Sequence, residues 1–250
     1  MIKNSFIFLD GIANETEKKL WKSGILTWND FINAKSIKGI SSDRKKYLDF
    51  KLQEARKALA NENSGYFADK FLPVDSWRLY DYFKDEAIFL DIEVSGVTEK
   101  DDVTVVGLFD GKDSKIMIKN INLDFTYLAR ELRKYKIIVT FNGSVFDIPF
   151  LKKRYPNLIP EIPIIDLRFV CNRLKFNGGL KEIEVKLGII RQDFTTKFNS
   201  GNPHQLFKMF HGSKDEYYLQ LLQEYNEEDI VNLKFIADML ISKMRNSLVT

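Results

Sequence analysis

The stretch at residues 88–96, I-F-L-D-I-E-V-S-G, limits the possible folds of this chain more than any other. Its apolar residues favour a buried strand, and residues two apart in a strand point to the same face. Asp91 and Glu93 therefore stand side by side in an apolar setting, where two carboxylates repel each other and lose hydration. A divalent cation that prefers oxygen ligands, Mg²⁺ or Mn²⁺, would offset this cost. Taken alone, the pair also fits a solvated edge strand.

Length and composition indicate an ordinary globular protein. The 250 residues are 44% hydrophobic, which is enough for one large domain or for one domain with a smaller one beside it. No apolar run approaches the roughly 20 residues of a membrane helix, and the first residues do not resemble a signal peptide. Cys171 is the single cysteine, so an internal disulfide and a thiolate metal site are excluded. We expect a cytoplasmic protein with no membrane partner.

The basic residues are unevenly distributed along the chain. Residues 1–84 hold 15 Lys and Arg against 11 Asp and Glu, a net charge of +4, although the whole chain carries only +3. Residues 85–250 therefore have a net charge of −1. A basic accessory region beside a domain with carboxylate clusters is typical of metal-dependent enzymes that act on nucleic acid.

Residues 1–65 read as a small all-α domain. Gly11-Ile12 and Gly39-Ile40 each follow a turn and resemble paired helix-hairpin-helix halves, which bind phosphate through backbone N–H groups. The usual second glycine is replaced by Ala13 and Ser41, so a helical domain with a solvated basic face remains an equal alternative. Residues 66–84 are a connector and a helix, whose Arg78 could face a nucleic-acid groove or make a surface salt bridge.

Residues 85–250 have the pattern of an α/β domain. Strands are predicted at 88–94, 104–110, 114–119, 136–142 and 162–167, with Gly111 in a hairpin turn between the second and third. Amphipathic helices are predicted at 122–134 and 215–244, and another begins near Phe146. This order predicts a mixed β-sheet flanked by helices, with an antiparallel hairpin at one edge, as in ribonuclease H-like folds.

Three more polar residues can reach the pair on the first strand. Asp147 lies just past a strand end, at the start of a helix, so it can lean over the sheet edge. Tyr225 and Asp229 have the i, i+4 spacing that puts a phenol and a carboxylate on one helix face. Glu227 and Glu228 read as solvated neighbours. The expected site therefore comprises Asp91 and Glu93 with these three residues.

These motifs carry a family resemblance. D-I-E at 91–93, N-x-x-x-F-D ending at Asp147 and Y-x-x-x-D at 225–229 resemble the DEDD 3′–5′ exonuclease superfamily, in its tyrosine-bearing (DEDDy) branch. The segments at 165–170, 180–184 and 225–233 are similar to the YprB-like subgroup of ribonuclease H-like proteins. The histidine-bearing branch needs a histidine five residues before the last aspartate, where this chain has Glu224. The resemblance covers about residues 85–245.

The resemblance implies a two-metal phosphodiesterase. Two Mg²⁺ or Mn²⁺ ions roughly 3.5–4 Å apart would stabilise the attacking and leaving oxygens together. Asp91 would bridge both ions, Glu93 and Asp229 would complete the site of the attacking water, and Asp147 would hold the second ion. Tyr225 would orient the nucleophilic water, because an ordinary tyrosine pKa of about 10 makes a poor base at neutral pH.

Further residues are candidate substrate contacts or anchors. Asp166 is expected to be a helix cap or a hydrogen-bond anchor, outside the metal site. The residues that could touch a polynucleotide are Val94, Ser95 and Gly96 after the first strand, Asn142 and Phe146 before Asp147, and Arg168 and Lys181 as phosphate contacts.

The leading interpretation is a metal-dependent 3′–5′ exonuclease that hydrolyses single-stranded DNA or RNA from a 3′ end, with adjacent duplex as a further option. One alternative is a nucleic-acid-binding module in which the ribonuclease H-like fold has lost its activity. Another is a ribonuclease that trims RNA 3′ ends, since no residue visibly reads the 2′-hydroxyl. Protein partners are not indicated.

Overall fold

A five-stranded mixed sheet forms the centre of the molecule. The computed structural model describes residues 1–96, 101–191 and 203–249. The strands run in the order β3-β2-β1-β4-β5, with β1–β2 and β2–β3 antiparallel and β1–β4 and β4–β5 parallel. Their bounds are β1 Ala87–Val94, β2 Val103–Phe109, β3 Ser114–Ile118, β4 Ile137–Thr140 and β5 Ile164–Asp166. The predicted mixed sheet with an antiparallel hairpin at one edge is confirmed.

The N-terminal part of the chain is helical, as the sequence predicted. It contains α1 Asn14–Lys22, α2 Trp28–Asn33, α3 Ser42–Ala60 and α4 Tyr80–Phe83, with short 3₁₀ helices before α1, between α3 and α4, and after α4. Thr27 caps α2 in a capping box with Asp30, and the Ser41 side chain caps α3. Gly11 and Gly39 have positive φ angles of 68° and 86°, so both predicted glycine turns are present.

The helices that follow the first strand cover both faces of the sheet. Within the described ranges they are α5 Phe125–Leu132, α6 Asp147–Arg154, α7 Leu167–Arg173, α8 Leu180–Leu187, α9 Pro203–Ser213 and α10 Glu216–Val249. Apolar residues of α5 and α6 pack on the face formed by Ile88, Leu90 and Ile92. On the opposite face α7, α8 and α10 pack with Ala87 and Phe89. None of the helices in the described ranges is long and apolar enough to cross a membrane.

One hydrophobic cluster joins the N-terminal helices to the sheet. It contains Trp28 and Phe31 of α2, Leu48 of α3 and Trp77 before α4, and it continues through Phe89 of β1. The helical region is therefore packed against the same core as the α10 face of the sheet. The division at residues 65 and 85 into helical domain, connector and α/β domain stays a prediction.

Arg78 is buried, and the sequence interpretation of this residue as a groove or surface cation is wrong. Its side chain is 1% exposed, and its guanidinium donates to Glu17 Oε2 at 2.8 Å and to Ser5 Oγ at 3.0 Å. Glu17 Oε1 also accepts the backbone N–H of Phe6 at 2.6 Å. The guanidinium lies 5.5 Å from the Trp77 ring centroid. The pair thus cross-links α1 to the segment that leads into the sheet.

Replacing Glu17 should strongly destabilise the protein. Glu17→Ala leaves the Arg78 guanidinium buried without its main partner, so we expect a loss of about 3–5 kcal/mol in the free energy of unfolding, measured in urea. Glu15→Ala is the matched control on the same helix, because the Glu15–Lys18 pair is exposed and should contribute below about 1 kcal/mol. Equal losses in the two variants would contradict this role for the buried pair.

Candidate active site

Strand β1 turns two carboxylates toward α10. Ala87 and Phe89 lie in the hydrophobic cluster on the α10 side, and Asp91 and Glu93 continue the same alternation along the strand. Ile92, between them, points into the cluster on the α5 and α6 side. The side-by-side placement predicted from the sequence is therefore present.

Helix α10 completes an acidic cluster above the strand. Carboxylate oxygens of Asp91, Glu93 and Asp229 lie within 4.8 Å of one another. Asp229 is buried, whereas Asp91 and Glu93 remain partly exposed. Carboxylates that are far apart in the sequence are thus brought together by the packing of one helix on one strand.

Asn226 and Gly107 set the approach of this helix, and neither was predicted from the sequence. Asn226 Nδ2 donates to Asp91 Oδ2 at 2.9 Å. Gly107 pairs with Asp91 across β1 and β2, and a Cβ added to it would lie 2.1 Å from Asn226 Oδ1. Only glycine leaves room for the amide at this position. The available signal was a single glycine inside an otherwise apolar strand, which can mark a close approach of another group.

Asp147 enters the same neighbourhood from a loop that Asp166 holds. Asp166 accepts the backbone N–H of Asn142 at 2.7 Å and that of Ser144 at 3.1 Å, and it caps α7 through the N–H of Arg168 at 3.0 Å. The expected anchoring role of Asp166 is confirmed. Asn142 has a left-handed φ of 62°, which turns the chain out of β4 toward α6.

The carboxylates raise one another's pKa values. Burial, followed by the charges of Asp229 and Asp147, raises the pKa of Glu93 to about 8. Burial and the Asp166 charge raise the pKa of Asp147 to about 7. The pKa of Asp91 is well above its usual value because of burial and the charges of Asp229, Asp147 and Glu93. The cluster is therefore an unfavourable concentration of like charge in a partly desolvated place.

Arg191 partly offsets this charge and was not singled out from the sequence. Its guanidinium pairs with Asp229 and also with Glu184, at 2.7 Å from Oε1. Burial raises the pKa of Asp229 to about 6, and Arg191 acts against that rise. Asn232 Nδ2 donates to Glu184 at 3.0 Å, so a buried network extends from the acidic cluster to α8.

Tyr225 lies beside the cluster with Lys181 over its ring. The Lys181 ammonium is 4.4 Å from the ring centroid, and the Arg191 guanidinium is 5.8 Å from it. Burial and the charge of Asp229 raise the pKa of the Tyr225 hydroxyl above its ordinary value. The raised pKa keeps the phenol protonated at neutral pH, so its hydroxyl can donate a hydrogen bond.

The other predicted substrate contacts have mixed positions. Ser95 Oγ accepts from the Asp102 N–H at 3.0 Å, and Gly96 lies against the Asp101 carboxylate. Val94 packs with the cluster on the α5 and α6 side. Phe146 precedes α6 with its ring 5.9 Å from that of Phe150. Arg168 is exposed at the start of α7. Lys181, in contrast, lies over the Tyr225 ring, and its charge lowers the pKa of Glu93 in the acidic cluster.

The residues present fit a divalent cation. The cluster of Asp91, Glu93 and Asp229 offers oxygen donors, as Mg²⁺ and Mn²⁺ prefer. Its raised pKa values indicate that positive charge would stabilise the ionised carboxylates. Both histidines of the chain, His204 and His211, lie on α9.

Comparison with known proteins identifies the α/β part of the chain. A family model described as RNase_H superfamily matches residues 88–241. The family B DNA polymerase from the hyperthermophilic archaeon Pyrobaculum calidifontis is a similar solved structure, with 14% identity and a TM-score of 0.46. The similarity covers 63% of this chain and 24% of the polymerase, so the chain spans about a quarter of that protein's length. The curated proteins contain no match.

The metal-free protein should lose stability as pH rises. The pKa of Glu93 is about 8 in the folded chain and near its ordinary value of about 4.3 in the unfolded chain. Between these two pH values the folded chain therefore binds more protons than the unfolded chain, and its stability falls as pH rises. In chelator, the free energy of unfolding should fall from about pH 4 to about pH 8. Glu93→Gln should flatten this fall and exceed the wild type in stability at the upper end. Glu15→Gln is the exposed control, and parallel profiles for all three proteins would contradict the assignment.

Proposed function

Because this chain belongs to the RNase_H superfamily, we propose that it is a metal-dependent 3′–5′ exonuclease of the DEDDy type, with likeness to the YprB-like subgroup. Its substrate would be a single-stranded DNA or RNA 3′ end. The observation that carries the proposal is the convergence of Asp91, Glu93 and Asp229 within 4.8 Å. Tyr225 and Asp147 adjoin this cluster and interact with its charge. Three of the five motif residues therefore form the cluster, and the other two interact with it electrostatically.

Two divalent cations, Mg²⁺ or Mn²⁺, would be held by Asp91, Glu93, Asp229 and Asp147. When bound, such ions supply charge that stabilises the attacking and leaving oxygens of a phosphodiester and lower the pKa of a water molecule. The oxygen donor set and the mutual repulsion of the carboxylates support this part of the proposal.

The protein's own groups would orient the substrate and the carboxylates. Asn226 fixes Asp91 through its hydrogen bond to one carboxylate oxygen. The protonated Tyr225 hydroxyl can donate to a water or to a phosphate oxygen. Lys181, which lowers the pKa of Glu93 and lies over the Tyr225 ring, adds positive charge beside the cluster that could contact a phosphate. The single thiol, Cys171, is free and buried, in keeping with the cytoplasmic location that is part of this proposal.

Manganese should stabilise the protein through the cluster. Thermal unfolding with Mn²⁺ should give a higher Tm than unfolding in chelator, because an ion that binds only the folded state shifts the equilibrium by mass action. Asp91→Asn should abolish this rise, whereas the exposed control Glu15→Gln should retain it. A rise that persists in Asp91→Asn would show that the ion binds elsewhere.

Cleavage should depend on Asp91 more strongly than on Tyr225. Single-stranded DNA and RNA labelled at either end, incubated with Mn²⁺, Mg²⁺ or chelator, should be shortened from the 3′ end only when metal is present. Asp91→Asn should reduce cleavage to background. Tyr225→Phe should lose about tenfold, the effect of one hydrogen bond of about 1.4 kcal/mol in the transition state.

Any of three results would oppose these assignments. Wild-type turnover in Asp91→Asn would exclude the metal role, and equal losses in the two variants would show that the role given to Tyr225 is wrong. Binding of the oligonucleotide without cleavage under every metal condition would favour a ribonuclease H-like binding module instead.

A further inference from the structure

A basic cleft lies in the N-terminal helical region, away from the acidic cluster. Its volume is about 680 Å³, within the range of ligand-binding clefts, and it opens to solvent between α2, α3 and α4. Three cationic side chains line it, Lys3, Arg56 and Lys57. Among the described residues, its lining contains no aspartate or glutamate. The described lining therefore carries three positive side chains and no negative one.

The cations on α3 are available to a ligand. Arg56 and Lys57 are exposed, and neither makes an ion pair with any residue that the structure describes. Other lysines of this helix are committed, since Lys45 pairs with Asp49 at 2.7 Å and Lys51 with Glu54 at 2.9 Å. The cleft thus collects cations of α3 that the described carboxylates leave unpaired.

The remaining walls combine apolar surface with polar groups and an aromatic ring. Asn29 and Gln53 line the cleft with side-chain amides. Tyr82 is 39% exposed, and its hydroxyl donates to the Leu59 carbonyl at 3.0 Å. Lys3 lies 5.5 Å from the centroid of the Tyr82 ring. Cations, amide donors and a fixed aromatic ring together suit a chain of phosphates that carries flat bases.

The cleft and the acidic cluster lie toward opposite ends of β1. Tyr82 belongs to α4, which leads into the strand at Ala87, and Glu93 lies near the far end of the strand. A rise of about 3.3 Å per residue separates Ala87 from Glu93 by roughly 20 Å. A ligand of the cleft is therefore distinct from a nucleotide bound at the carboxylates.

We propose that this cleft binds the sugar–phosphate backbone of a polynucleotide, through Arg56, Lys57 and Lys3. A polyanion matches a cleft whose described lining has cations and no acids, and the planar Arg56 guanidinium can contact two phosphate oxygens at once. The cleft opens to solvent, so a strand can lie in it. The assignment adds a second contact region to the one at the carboxylates and does not need the chain to be catalytic.

Binding in chelator tests the cleft without any cleavage. Fluorescence anisotropy of labelled single-stranded DNA and RNA, over a salt series from about 50 to about 200 mM, gives both the affinity and its salt dependence. Arg56→Ala/Lys57→Ala should weaken binding about tenfold. It should also reduce the slope of log K against log salt by about 1.4, because each phosphate that a cation no longer neutralises lowers the slope by about 0.7. The test uses point variants because the helical region shares a hydrophobic core with the sheet, and deleting that region would disrupt this core.

The matched control removes the same charge from the same region. Lys18→Ala/Lys46→Ala takes two exposed lysines from α1 and α3 that pair with Glu15 and Asp43 and do not line the cleft. It should change the affinity less than twofold and leave the slope nearly constant. Should the alanine variant at Arg56 and Lys57 unfold, Arg56→Gln/Lys57→Gln keeps much of the stem of both side chains and should give the same loss.

Two outcomes would overturn the assignment. Equal effects in the cleft and control variants would show that net charge alone, and no particular cleft, attracts the polynucleotide. The second outcome would come from calorimetry with a nucleoside monophosphate. If the monophosphate binds only when Arg56 and Lys57 are present, while the variant without them binds the oligonucleotide as the wild type does, the cleft is a site for free nucleotides. A protein without nuclease activity would still give a clear answer in both measurements.

Discussion

The close packing of α10 on β1 and β2 is the constraint on which the site depends. Asp91 and Glu93 lie on the sheet, whereas Asn226 and Asp229 lie on the helix, and the acidic cluster exists only where the two meet. Gly107 makes this distance possible because any side chain there would collide with the Asn226 amide. The chemistry proposed for the cluster therefore rests on a missing side chain in the neighbouring strand as much as on the carboxylates themselves.

The cluster works against folding, and the surrounding structure offsets that effect. Carboxylates with raised pKa values cost free energy when ionised, and the Arg191 pairing with Asp229 and the Asn226 hydrogen bond to Asp91 act against this cost directly. Further stability must come from elsewhere, and the hydrophobic cluster that joins the N-terminal helices to the α10 face is a large source of it. A functional site of this kind is a local instability held in a rigid frame.

The sequence predicted the sheet, its hairpin and the carboxylates, because period-two patterns and an i, i+4 pair are local signals. The anchoring role of Asp166 was foreseen for a similar reason, since it stands where a strand passes into a helix. The contacts of Arg191 and Asn226 were missed because each depends on the packing of separate elements, which one sequence does not reveal. Arg78 was misread because a buried arginine and an exposed one look alike until the partner, Glu17, is located 61 positions away.

Helix α10 reaches from the acidic cluster to the N-terminal region. Its 34 residues extend about 51 Å, and Asp229 lies at the cluster. Farther along the helix, Asp238 accepts a hydrogen bond from the Tyr80 hydroxyl at 2.9 Å, and Arg245 lies 3.5 Å from Asp81. A single inserted or deleted residue between Asp229 and Asp238 would rotate one end by about 100° relative to the other. An insertion of seven residues, close to two whole turns, would restore the rotation but would move the far end by about 10 Å along the axis, so both ends keep their partners only at the present length. A surface loop can absorb an insertion, whereas this helix fixes both the relative rotation and the distance of two separate parts of the molecule.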